Sequence, residues 1–124
     1  MAEISVLPGA SLDEAIPTEG MVRRDGPIAE HLRVIHVRTA PGTTSAWHHH
    51  AEHETVGYVV AGKLRLEWGL GGKQRVEAGP GDFFRVPPGV IHRESNPDTA
   101  EQLVVGFRIG TGVSVVNVDG PGQS

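Results

Sequence analysis

The chain has 124 residues, 38% of them hydrophobic, with 11 Lys and Arg against 15 Asp and Glu and a formal net charge of −4. That length suits one domain around one core, and the acidic balance argues against a nucleic-acid or anionic-membrane partner, which would select a basic surface. There is no cysteine, so disulfides, thiolate nucleophiles and thiolate metal sites are excluded, and any metal must sit on nitrogen and oxygen ligands.

In chain order, the first 16 residues carry Glu3, Asp13 and Glu14 and lack the apolar core of an export signal. No later window approaches the roughly 20 apolar residues of a membrane span, so a cytoplasmic location is expected. Ser11–Ile16 reads as a short helix, with Ser11 as N-cap, Glu14 placed for a capping box and Pro17 as the stop. Beyond it, 17 Gly and 9 Pro punctuate short apolar runs. These runs are Leu32–Thr39, Thr55–Val60, Lys63–Trp68, Arg75–Ala78, Asp82–Val86, Gln102–Ile109 and Val113–Val118. Leu64, Leu66 and Trp68 alternate with Lys63, Arg65 and Glu67, the period of a strand with one face buried. Leu70-Gly71-Gly72-Lys73 reads as the hairpin turn between two of these strands. Regular short strands with turn signals between them predict an all-β sandwich or barrel. Val113–Val118 is too apolar for a free tail and is expected to add as a strand, either to its own sheet or to a partner's in a twofold homodimer. Nothing marks a linker or a repeat, so residues 1–124 read as one domain.

Five of the seven histidines fall in two stretches: His48, His49, His50 and His53 in the first, His92 in the second. On a strand, His48 and His50 share one face while His49 takes the other. Two imidazoles on one face can converge on one ion, because neutral imidazole is the commonest side-chain metal ligand. His92 is the natural distant contributor, aimed by the turn Pro87-Pro88-Gly89 just before it. His31 and His36 read as ordinary surface or core residues. Of Arg38, Arg85, Arg93 and Arg108, any that points inward could hold a carboxylate through two parallel hydrogen bonds.

Gly42, His48, His50 and Glu54 follow the spacing of the first cupin motif, and Gly81, Pro87, Gly89, His92 and Asn96 match the second at every position. The chain thus resembles the cupin superfamily over roughly residues 32 to 109. The resemblance implies a jelly-roll β-barrel with a metal at one end of a largely apolar cavity. It implies His48, His50 and His92 as ligands and Glu54 as the usual fourth. One departure stands out: seven residues separate Glu54 from the closing Gly62 where the motif has six. Counting back from Gly62 lands on Thr55 instead. A bulge between Ala51 and Val56 would reconcile the counts. His53 is then the second candidate for the fourth ligand, and Glu94, on the same strand face as His92, is the third. If Glu54 is not a ligand, it is expected either to support the ligands from behind or to act as a general base that takes a substrate proton. The implied cofactor is one divalent transition-metal ion: iron, manganese, nickel, copper or zinc. The implied activity is a small-molecule dioxygenase on an enolisable, diol or carboxylate substrate. The alternatives are an isomerase, lyase or decarboxylase at the same site, or a binding protein without chemistry.

Overall fold

The computed structural model describes residues 2–122; Met1 and the last two residues of the expected domain lie outside them. Eleven strands follow one another: β1 (Asp13–Glu14), β2 (Met21–Ala29), β3 (Leu32–Thr39), β4 (His48–His49), β5 (Glu54–Ala61), β6 (Leu64–Trp68), β7 (Gln74–Ala78), β8 (Phe83–Val86), β9 (His92–Ser95), β10 (Gln102–Ile109) and β11 (Val116–Asn117). They build a six-stranded sheet in the order β1-β2-β3-β10-β5-β8 and a five-stranded sheet in the order β11-β4-β9-β6-β7. Every pairing is antiparallel. The chain crosses from one sheet to the other and back, the jelly-roll arrangement, so that alternate residues of both sheets face a shared interior. Val59, Leu64, Leu66 and Val104 form the buried apolar cluster, with Ala78 and Phe84 packed against it. Among the described residues, no helix is long and apolar enough to cross a membrane.

Two expectations at the N-terminal end need correction. The helix over Ser11–Ile16 does not form. A single 3-10 turn covers Gly9–Ser11, and Asp13 and Glu14 then pair with Asp25 and Arg24 as β1. Ser11 Oγ donates back to the Pro8 carbonyl at 2.7 Å rather than capping forward, and the β2 edge offers the following backbone a ladder. The second correction is β2 itself, which is not among the predicted runs. Its inward positions include Arg23 and Asp25, so it lacks the apolar alternation that marks a half-buried strand.

The remaining predicted runs correspond to β3, β5, β6, β7, β8 and β10 within a residue or so at each end. The turn at Leu70–Gly72 needs glycine at its corners, since Gly71 and Gly72 adopt φ of 64° and 70°. Of Val113–Val118, only Val116–Asn117 is a strand, and it joins its own five-stranded sheet beside β4.

Candidate metal centre

β4 and β9 lie side by side with His48 opposite His92. His50 follows two residues after His48, just past the end of β4, and its ring comes to the same place. The three ring centroids stand 4.3–5.0 Å apart, and one nitrogen from each imidazole lies within 4.8 Å of the other two. All three residues are buried.

The backbone sets the tautomer of each ring. Nδ1 of His48 lies 2.8 Å from the Ala46 carbonyl, Nδ1 of His50 2.8 Å from the Ser114 carbonyl, and Nδ1 of His92 2.9 Å from the Val90 carbonyl. A carbonyl oxygen only accepts, so each Nδ1 carries the proton and each Nε2 keeps its lone pair. Burial also holds the rings neutral. It pulls the His48 pKa down to about 4 against the opposing pull of Glu94. For His50, burial together with Arg108, His92 and His48 lowers the value to about 2. His92 is lowered too, chiefly by burial. Three neutral nitrogens with lone pairs to share are the donor set a borderline transition metal takes. An inner cavity of about 20 Å³ beside them is lined by His50, His92, Thr55, Glu94, Gln102 and Arg108. That is room for one body the size of a water molecule.

The acidic and histidine candidates separate by strand geometry. Glu54 does not join the three imidazoles. It sits on the outer face of β5, where its carboxylate accepts from Arg85 at 3.0 Å. The strand is broken between Glu54 and the histidines, so alternation does not carry from His48 and His50 to Glu54. Ala51 takes φ of 52°, and a turn closes from His53 N–H to the His50 carbonyl at 2.9 Å. Thr55, reached by counting back from Gly62, is the residue that faces inward, and its buried Oγ1 has no hydrogen-bond partner among the described residues. His53 is buried but separate: its Nδ1 lies 3.2 Å from the His50 carbonyl, and it lines a different cavity with His31, Leu32 and Gly110.

Glu94 lines the inner cavity with His50 and His92, and its charge acts on His48 and His92. It lies on β9 and accepts from Arg23 Nη2 at 3.1 Å. Burial alone would raise its pKa, but Arg23, which also donates to it, outweighs that and holds its carboxyl well below the usual carboxylate range. It therefore stays charged. Arg23 lies on β2, which lacks the apolar alternation by which a half-buried strand is read from a sequence.

Two larger cavities flank the centre. One, of about 200 Å³, is apolar and opens beside His92 between Leu66, Trp68, Val86, Pro87 and Val90. The other, of about 400 Å³, is lined by Arg23, Arg24, Asp25, Arg33, Arg108 and Ser114, among others.

Comparison with known proteins follows the same lines. Residues 35–106 match the Cupin domain family. A Zymomonas mobilis protein provisionally named quercetin 2,3-dioxygenase is 36% identical over 64 residues, which are 52% of this chain and 27% of that protein. The chain thus spans about a quarter of the length of that curated relative. Bacillus subtilis oxalate decarboxylase superposes with a TM-score of 0.73 at 18% identity, over 86% of this chain and 30% of that one. KdgF from a Halomonas species superposes with a TM-score of 0.69 at 22% identity, over 87% of this chain and 96% of that one. At such identities the structural likeness speaks for the fold. With both motifs in place, a jelly roll around them and more than half its length matched, the chain belongs to the cupin family.

Proposed function

We propose that this cupin is a metal-dependent small-molecule enzyme, with His48, His50 and His92 as the protein ligands of one divalent transition-metal ion. The observation that carries the reading is the convergence of three buried imidazoles, each oriented by a backbone carbonyl on Nδ1. Orienting partners of this kind are what metal-binding histidines have. With three protein nitrogens engaged, a bound metal would supply open positions at which a substrate oxygen is polarised or dioxygen is taken up. Iron, manganese, nickel, copper and zinc all suit the donor set; Mn(II) centres are described for Bacillus subtilis oxalate decarboxylase.

The chain's own residues supply the rest. Glu94 brings a fixed negative charge beside the rings and favours a cation there. The walls at Leu66, Trp68, Val86 and Val90 give the His92 side an apolar surface for a substrate. The reaction we favour is dioxygenation of an enolisable, diol or carboxylate substrate, a reading the Zymomonas relative's name supports. Decarboxylation, isomerisation or lyase chemistry on a carbonyl is the second reading, supported by the likeness to oxalate decarboxylase. Oxygen uptake by the metal-loaded protein, measured with a panel of diols, diketones and carboxylates, separates them. Substrate-dependent oxygen consumption is the expected result. Substrate loss without oxygen uptake would replace the first reading by the second, and no turnover of any of them would point to a binding protein.

A further inference from the structure

The cavity of about 400 Å³ carries more positive charge than its own partners neutralise. Four arginines line it: Arg23, Arg24, Arg33 and Arg108. Three are satisfied within the fold. Arg23 is paired with Glu94 at 3.1 Å and Arg33 with Asp25 at 2.9 Å. Arg24 donates to the carbonyls of Gly9 and Leu12, both at 3.1 Å. Arg108 differs from all of them. It is only 8% exposed, its buried Nε has no hydrogen-bond partner, and it is in none of the ion pairs among the described residues. A buried guanidinium without a partner is costly to the fold. The charges of Glu94 and Asp25 act on it without forming an ion pair, which leaves its donors open to a ligand.

Its position says which ligand. Arg108 projects from β10 into the wall shared by the outer cavity and the inner space that His50 and His92 line, and its charge is felt at His50. Ser114, whose carbonyl orients His50, lines the same outer cavity. We propose that Arg108 is the anchor for a carboxylate group of the substrate, so that this protein takes small carboxylic acids through the arginine-lined cavity. A planar guanidinium offers a carboxylate two parallel charge-assisted hydrogen bonds. A carboxylate held there lies in the outer cavity, one wall away from the small inner space that His50 and His92 line. This rests on the metal-enzyme reading for what happens next, but the anchoring itself needs only Arg108.

The test is binding of malonate, with malonamide as its neutral counterpart, measured by calorimetry on the metal-loaded protein. Metal content is determined on the same samples. Wild-type protein is expected to bind malonate and to discriminate strongly against malonamide. Arg108→Met fills the same volume without charge. It is expected to keep its metal and to bind malonate about tenfold to a hundredfold more weakly, the loss typical of a charge-assisted hydrogen bond. Arg108→Lys keeps the charge but not the fork, and its affinity should fall between the two; it serves alone should the Met variant not fold. Malonate affinity that is unchanged in the variants at equal metal content, or equal affinity for malonate and malonamide, would overturn the proposal. Wild-type protein that holds no metal yet binds malonate through Arg108 would instead sink the metal reading and leave the anchor standing.

Discussion

A carbonyl oxygen on each Nδ1 does two things at once at the scale of single residues. It fixes the proton on the outer nitrogen, and it turns the inner nitrogen toward its two neighbours. The three histidines were legible in the sequence because strand alternation and the turn at Pro87-Pro88-Gly89 are local rules. The fourth position was not, because alternation carries no information across a break, and Ala51 breaks the chain between His50 and Glu54. Arg108 was legible only as one of several arginines. Its inward direction depends on the parity of β10 and on a partner the fold leaves out. With Glu54 bound to Arg85 on the outer face, Glu54→Gln should leave metal content and turnover at wild-type levels. A loss of metal in that variant, measured by elemental analysis, would restore Glu54 as a ligand.

At the scale of elements, β4 is only two residues long, and the centre depends on what flanks it. β9 holds it on one side through the His48–His92 pair, and β11 on the other through Val116 and Asn117. The turn after it forces Ala51 into left-handed backbone, which costs a residue with a Cβ about 1 kcal/mol or more. Ala51→Gly should therefore raise thermal stability by about 0.5–1 kcal/mol and retain the metal. Ala51→Val should lower it by about 1–2 kcal/mol, since a β-branched residue is worse there. Equal melting temperatures for the three proteins would contradict the strained turn. Strands whose inner face is apolar, such as β6, could be read from the sequence by their period of two. β2 could not, since its inner face carries the arginine and aspartate that line the polar cavity. The same charges that give the cavity its chemistry hide the strand from a hydrophobicity pattern.

For the whole molecule, the outer face of the six-stranded sheet leaves Val60, Phe83, Phe107 and Ile109 exposed. Large exposed apolar side chains on one sheet face mark a surface that associates. A twofold dimer through this face is the assembly we expect, rather than one built by Val113–Val118, part of which is already used within its own sheet. Light scattering should give twice the chain mass at micromolar concentration. Phe107→Glu should shift it toward the chain mass while the metal stays. A monomeric wild type would count against the dimer.

The three-histidine metal centre is tested by metal content per chain, in wild type and in the His50→Ala/His92→Ala double variant, by elemental analysis of purified protein. About one transition-metal ion per wild-type chain is expected and close to none in the double variant, with both proteins folded by circular dichroism. Stoichiometric metal in the double variant would contradict that centre.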